Sequence, residues 1–435
     1  MAKQKDFNAF LSNIEPSIST VNYISSVQNN LRDYLKNHET YKQVHVQTFL
    51  SGSYAKHTSI RPKLYDRKRD VDIIVETTYT SSNNSRAKLQ ELLDVLLEKS
   101  VYSTAKLNAH SVSIELEGIE IDVVPVIRSD DQERFYIGTS DVNEWTLTDP
   151  KGHISWSGEV NANSEQKYKP LVKMLKWWRR TNCPEDVKYP KGLTLEKMIA
   201  DNLPSSDLNT ESYLIGSMQT IVSAYKEDYI DKDIMPEVVD PCLSENDLLA
   251  GYVFSDFEAF IFNLIEHLEL IAQDGPTNET WRAILGTEFP SAGSISKSAF
   301  SSNPEAALNV SHRATPPWPT PKKVSVIIST QLERDDGTTV FLENNGAPIP
   351  KGCRLVYRAL HSVKLPYRLS WQIVNTGAEA QEANCLRGGF EPSVQGQREC
   401  RIESTLYTGK HYVQCFVIKG DRCVAKSKEF IINIE

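Results

Sequence analysis

Asp70, Asp72 and Asp122 are the residues of this sequence whose types and spacing best suit chemistry. Asp70-Val71-Asp72 opens the apolar run Ile73-Ile74-Val75, and Asp122 stands between Ile121 and Val123. Side chains alternate faces along a strand, so Asp70 and Asp72 share one face while Val71, Ile73 and Val75 take the other. Two carboxylates about 7 Å apart along a strand can share divalent ions. Asp122, on a neighbouring strand, supplies a third ligand. An all-oxygen donor set suits Mg²⁺, with Mn²⁺ as the alternative. Two such ions acidify an attacking hydroxyl and neutralise charge on a leaving pyrophosphate. Asp122 is also placed to take the proton of that hydroxyl.

Upstream, Gly52-Ser53 closes the apolar run Val44–Leu50. Glycine lets backbone approach phosphate oxygens, and the serine N–H and hydroxyl can donate to them. A glycine-serine turn, a D-x-D strand and a third strand aspartate together make the layout for metal-assisted nucleotidyl transfer. Alone, a D-x-D on a strand would equally be surface decoration. Lys56, Arg61, Lys63, Arg67, Lys68 and Arg69 precede the first acids and form a local cationic funnel suited to a triphosphate. Lys169, Lys173, Lys176 and Arg180 recur at helical spacing, with Leu171, Met174, Leu175 and Trp178 on the other side. Most of such a stripe is expected to be a solvated face. One of its lysines, Lys173 or Lys176, is expected to reach triphosphate oxygens.

These residues need a scaffold, and composition supports one. The chain has 435 residues, 40% hydrophobic and 24% charged, enough for two or three domains with their own cores. No run approaches the roughly 18–20 apolar residues of a membrane span. The start, MAKQKDFNAFL, lacks an apolar signal core. Seven cysteines, an odd number, are then expected as reduced thiols in a cytoplasm. Five fall at Cys353, Cys385, Cys400, Cys415 and Cys423; they form no CxxC pair, and His361 and His411 sit at no zinc-finger spacing. The net charge of −9 argues against coating duplex DNA.

Three regions separate. Residues 1–164 read as a nucleotidyltransferase palm with one long N-terminal helix, Phe7 to Asn37. Its alternating stretch Ser111–Glu117 and returning strand Ile119–Ile127 predict a hairpin. Residues 165–313 read as a helical lobe, with helices over Lys169–Arg180, Leu193–Asn202, Glu211–Tyr225 and Ser255–Ala272. The Pro-rich segment 314–321 reads as a stiff linker. Residues 322–435 are β-rich, with strands at Val324–Ile328, Tyr367–Val374, His411–Ile418 and Phe430–Ile434, and predict a sandwich-like domain. The fold class is therefore α+β, palm plus helical lobe, followed by an all-β domain.

The run Gly52-Ser53-Tyr54-Ala55-Lys56-His57-Thr58 with Arg69-Asp70-Val71-Asp72-Ile73-Ile74-Val75 resembles the bacterial cGAS/DncV-like nucleotidyltransferases (CD-NTases) of the DNA polymerase β-like superfamily. The helix Leu171–Trp178, Trp281-Arg282 and Phe289-Pro290 extend the resemblance. The segments Pro366–Gly377, Leu386–Glu391 and Tyr412–Val417 are similar to the adenylyl/guanylyl and SMODS C-terminal sensor domain. The resemblance implies synthesis of a cyclic oligonucleotide from ATP or related NTPs, acting on a separate effector in antiphage CBASS signalling. It implies Mg²⁺ on Asp70, Asp72 and Asp122, triphosphate on Gly52 and Ser53, and a phosphate contact from Lys173. Where relatives often carry a serine and an aromatic before a Leu-Glu pair, this chain has Gly192 and Leu193, so Thr194 is left to donate to phosphate. No Cys/His insertion resembles the zinc thumb of animal cGAS, and duplex DNA is not expected as activator. The sensor-like domain is expected to take an unidentified ligand, with Trp371, Arg387 and Phe390 lining a pocket or serving as core and turn residues. Linear nucleotidyl transfer to RNA or a small acceptor is the second reading, and a non-catalytic nucleotide-binding module the third.

Overall fold

The computed structural model describes residues 4–62, 69–116, 119–131, 133–204, 208–291, 310, 312–321, 325–334, 337–342, 344, 346–383 and 385–435. The basic residues Lys63, Arg67 and Lys68, the hairpin tip Glu117-Gly118, the stretch 292–309 and Val324 lie outside them, as does the side chain of Arg69.

The expected long first helix is two helices, α1 (Gln4–Ile14) and α2 (Ile18–Asn37). Pro16 cannot continue the ladder, and Ser17 caps the second helix by accepting from the Thr20 N–H at 3.2 Å. The break lets the two pieces serve different cores. Phe7, Phe10 and Ile14 of α1 pack with Trp281 and Phe289 of the helical lobe, whereas Ile24, Leu31 and Leu35 of α2 pack under the palm sheet.

The palm continues with β1 (His45–Leu50), the single-turn helix α3 (Gly52–Ala55), β2 (Arg69–Thr77), α4 (Ser85–Leu97), β3 (Lys106–Leu107), β4 (Val112–Leu116), β5 (Ile119–Arg128), β6 (Phe135–Gly138) and β7 (Trp145–Thr148). The sheet order is β1-β2-β5-β4-β3, with β6 and β7 extending from β5. Among the described strands of this sheet, β2 and β5 alone pair in parallel; the predicted hairpin is the antiparallel β4–β5 pair. Val71, Ile73 and Val75 of β2 and Ile121 and Val123 of β5 are buried against α2 and α4. Their alternation sends the intervening acids to the opposite face.

After the palm sheet come α5 (Pro150–Asn163), α6 (Tyr168–Asn182), α7 (Gly192–Asp201), α8 (Thr210–Tyr225), α9 (Phe254–Asp274) and α10 (Asn278–Leu285); α5 falls within the stretch read as palm, yet its Trp156 and Val160 pack on the core of the helical lobe. Leu171, Met174, Leu175 and Trp178 of α6 are fully buried, as the stripe pattern predicts.

The C-terminal domain contains β8 (Ile327–Glu333), β9 (Thr339–Leu342), β10 (Pro348–Ile349), β11 (Arg354–Leu360), β12 (Arg368–Val374), α11 (Ala378–Glu382), β13 (Phe390–Pro392), β14 (Cys400–Ser404), β15 (Gly409–Lys419), β16 (Arg422–Lys426) and β17 (Phe430–Ile434). One sheet runs β10-β17-β15-β12-β13 with β16 on β15; the other runs β14-β11-β8-β9. Leu355, Tyr357 and Ala359 of the second sheet share a core with Trp371, Cys415, Val417 and Ile432 of the first, which is sandwich packing. The Pro-rich segment lies along the six-stranded sheet: Gln372 donates to the Ala314 carbonyl at 2.7 Å, and Trp318 stacks on Phe416. The sandwich meets the helical lobe through a buried charged group. Lys226 Nζ lies 3.1 Å from Asp231 and 3.6 Å from Glu399, and the Tyr367 hydroxyl is within hydrogen-bond reach of both carboxylates.

Candidate active site

Register makes the acid cluster. In the parallel β2–β5 pair Asp72 stands opposite Asp122, and Asp70 opposite Glu120. Neighbouring strands lie about 4.8 Å apart, so Asp72 and Asp122 are side by side with Asp70 two residues upstream on the same face. Burial, then the charges of Asp122 and Asp70, push the Asp72 carboxyl up to about 6. Burial, then Asp122 and Glu120, raise Asp70 as well. Glu120 is a fourth carboxylate that the motif did not single out; its register position opposite a D-x-D residue is the signal that marks it. Asp122 Oδ1 accepts from Ser111 Oγ at 2.8 Å and Asn108 Nδ2 at 3.3 Å, and these two fix its orientation. Both reach Asp122 because β4 pairs with β5 at Ser113–Asp122.

Gly52 adopts φ +61, and a Cβ built on it falls 1.7 Å from Asp72 Oδ2. Only glycine permits both that backbone and that approach. The Ser51 N–H donates to the Asp72 carbonyl at 2.9 Å, tying the turn to β2. The three aspartates, Gly52 and Ser53 are thus brought together. Three carboxylates on one face, offering only oxygen donors, fit a hard divalent cation.

The remaining expected phosphate ligands are engaged elsewhere. Lys173 Nζ pairs with Glu15 of the α1–α2 junction at 2.6 Å. Lys176 Nζ pairs with the wholly buried Glu196 at 2.5 Å. Thr194 Oγ1 donates to the Leu248 carbonyl at 3.1 Å. Arg180 Nη1 donates to the Arg61 carbonyl at 2.5 Å, so Lys173, Lys176 and Arg180 of the stripe are paired rather than solvated. Gly192 has φ +56 and open space where a side chain would stand. Lys56 and Arg61, expected in a cationic funnel, are paired instead: Lys56 is buried against Glu196 in a network with Thr58, and Arg61 meets Glu288; these partners come from distant segments, and no spacing announces them.

In the C-terminal domain Trp371 is fully buried and donates to Ser393 Oγ, Arg387 pairs with Glu403 and Glu391, and Phe390 packs on Trp318 and Phe416. Trp371 belongs to the core between the sheets, Phe390 packs on a separate cluster, and Arg387 is a turn residue in ion pairs. Among the described residues, the group whose potential metal-ligand atoms all lie within 4.8 Å of one another is His153, Asp240 and Cys242, and not the aspartate trio. There Asp240 Oδ1 lies 2.8 Å from His153 Nε2 and accepts from the Cys242 N–H, and Oδ2 accepts from Asn246. These bonds account for the group as a stitch between α5 and the loop before α9.

A family model described as the Second Messenger Oligonucleotide or Dinucleotide Synthetase domain matches residues 1–161. One described as the adenylyl/guanylyl and SMODS C-terminal sensor domain matches residues 308–435. The chain is 37% identical over 319 residues to a cyclic AMP-AMP-AMP synthase of Acinetobacter sp., covering 71% of this chain and 91% of the relative. It is 28% identical to a cyclic AMP-AMP-GMP synthase of Enterobacter hormaechei, covering 67% and 93%. Two solved structures share the fold. The CdnC:HORMA-deltaN complex of E. coli MS115-1 has TM-score 0.53 and 20% identity, over 67% of this chain and 99% of that one. The Bradyrhizobium diazoefficiens CD-NTase CdnG in complex with GTP has TM-score 0.56 and 13% identity, over 65% and 94%.

Proposed function

The chain belongs to the bacterial cGAS/DncV-like nucleotidyltransferases, which make cyclic oligonucleotide second messengers, and on that premise we propose that Asp70, Asp72 and Asp122 are its reaction centre. The supporting observation is the parallel register that sets Asp72 beside Asp122, with Asp70 on the same face. Magnesium, or manganese in its place, supplies charge neutralisation and acidifies the attacking hydroxyl when bound. Asp70, Asp72 and Asp122 would hold it. Ser111 and Asn108 keep Asp122 aimed, so its carboxylate is also the acceptor for the proton of the attacking hydroxyl. Gly52 and Ser53 hold the triphosphate on the turn that touches Asp72. Each joining step forms one phosphodiester bond and releases one pyrophosphate, and a last intramolecular attack closes the ring.

Of the three further phosphate candidates, Lys173 carries the assignment. Its partner Glu15 is 38% exposed and can yield to a phosphate, whereas Lys176 is held by the buried Glu196 and the buried Thr194 is engaged with the Leu248 carbonyl. ATP is the first substrate to test, since the more similar relative is named for a product built from AMP alone. The setting is CBASS signalling in the cytoplasm, with the product acting on a separate effector and the sandwich domain taking an activating ligand. No described helix is long and apolar enough to cross a membrane.

The test is incubation with Mg²⁺ and NTPs, phosphatase digestion and mass spectrometry. A phosphatase-resistant product free of terminal phosphates, absent from Asp70→Asn and Asp72→Asn, is expected. Persistence of product in both variants overturns the site. Products that lose terminal phosphates point to linear transfer instead.

A further inference from the structure

Glu196 is wholly buried, yet its carboxylate meets ammonium groups from both lobes. Oε2 accepts from Lys56 Nζ at 2.5 Å. Oε1 accepts from Lys176 Nζ at 2.5 Å and from Thr58 Oγ1 at 2.8 Å. Lys176 Nζ also lies 3.0 Å from Thr58 Oγ1, and the Glu196 carbonyl accepts from the Tyr168 hydroxyl at 3.0 Å. Lys56 and Thr58 belong to the palm, immediately after the glycine-serine turn. Lys176 and Glu196 belong to α6 and α7 of the helical lobe.

The chain of contact leads to the reaction centre. The Lys56 N–H donates to the Gly52 carbonyl at 3.2 Å, and Gly52 abuts Asp72. Burial alone would raise the Glu196 carboxyl; Lys176 and Lys56 overrule it and hold it down at about 2. Two ammoniums against one carboxylate leave this buried group with one net positive charge, beside the net negative acid cluster. Glu196 is therefore ionised across the working pH range, and each ammonium keeps a fixed place. With a neutral residue in its place, two buried ammoniums would face each other unpaired, and one would have to move or lose its proton.

We propose that Glu196 is a positioning residue for nucleotidyl transfer, pinning Lys56 and with it the Gly52-Ser53 turn against Asp72, while setting the helical lobe on the palm through Lys176. The inference rests on the assignment of Asp70, Asp72 and Asp122 as the reaction centre. Glu196 touches neither substrate nor metal ligand; it acts through Lys56. Its loss misaligns the attack, which lowers kcat more than it raises KM.

The experiment measures kcat, KM for NTP and melting temperature for Glu196→Gln, Lys56→Met, the double variant of these two, and Glu196→Gln with Lys173→Met. Glu196→Gln is expected to lose about tenfold or more in kcat, with KM within about threefold. The double variant with Lys56→Met is expected to be no slower than Lys56→Met alone, because both changes break one contact. With Lys173→Met, which lies on a separate pair, the losses multiply. Glu196→Gln within about twofold of the parent kcat, or losses that multiply with Lys56→Met, overturns the proposal. If Glu196→Gln does not fold, Glu196→Gln with Lys176→Met keeps the single net charge; it is expected to retain the kcat deficit, and parent-like kcat there overturns the proposal. If Asp70→Asn and Asp72→Asn both still make product, the reaction-centre assignment fails instead, whatever Glu196 does.

Discussion

Replacing Asp72 by asparagine should make the metal-free protein more stable while removing its activity. In the fold the Asp72 carboxyl titrates at about 6, against 3.8 when unperturbed. The folded chain therefore binds this proton more tightly than the unfolded chain does. Above pH 6 the carboxylate is charged in both states, and its charge opposes folding. As pH falls through 6 toward 3.8 the folded state takes the proton first, and that opposition disappears. About 2 pKa units at 1.36 kcal/mol each set a ceiling of about 3 kcal/mol at neutral pH. Asparagine keeps the shape beside Gly52 and removes the charge. At about 2–4 °C per kcal/mol for a domain of this size, the metal-free variant should melt above the parent by up to about 6–12 °C at pH 7.5, and the gap should close near pH 4. Saturating Mg²⁺ and a non-hydrolysable NTP should reverse the order. Ligand at 1,000 times its Kd adds about 4.1 kcal/mol, more than that ceiling, to a protein that binds it and nothing to one that does not. Differential scanning fluorimetry in both conditions reads the result. A metal-free Asp72→Asn that melts below the parent would refute the reasoning, since it would mean that the carboxylate is already compensated.

Gly52→Ala should cost about tenfold or more in kcat, since its Cβ lands on Asp72 Oδ2 and its φ is left-handed; steady-state kinetics checks it. His267 accepts the Trp178 indole N–H on Nδ1, and burial lowers it to about 4. Because the folded His267 stays neutral while the unfolded chain takes a proton below 6.5, stability should fall by about 2–3 kcal/mol from pH 7 to 4 on this account. Urea midpoints of the parent against His267→Gln isolate that share, and the variant's curve should be flatter. Lys226→Met leaves Asp231 and Glu399 buried without their ammonium, and should cost about 3–5 kcal/mol in denaturant unfolding.

What the sequence made legible follows from local patterning. Alternation along β2 and β5 set the three aspartates on one face, and helical spacing alone placed Trp178 and Leu175 in the core. The break at Pro16-Ser17 was readable too, because proline followed by a capping serine ends one helix and starts another; the apolar period running through it concealed the break. Side-chain partners were not legible. Lys173 meets Glu15 from 158 residues away, and Lys56 meets Glu196 across the two lobes, so no spacing rule brings them together. Trp371 and Arg387 carried the composition of a binding pocket, but sheet packing buried the first and two carboxylates, Glu391 and Glu403, occupied the second. Composition names what a residue can do, and the pairing of distant elements decides whether it is free to do it.

The most direct measurement is an anomalous-scattering map of the full chain crystallised with Mn²⁺ and a non-hydrolysable NTP. Manganese peaks coordinated by Asp70, Asp72 and Asp122, with the triphosphate against Gly52 and Ser53, are the predicted result. Manganese that binds only elsewhere, with those three carboxylates left bare beside a bound nucleotide, contradicts the account.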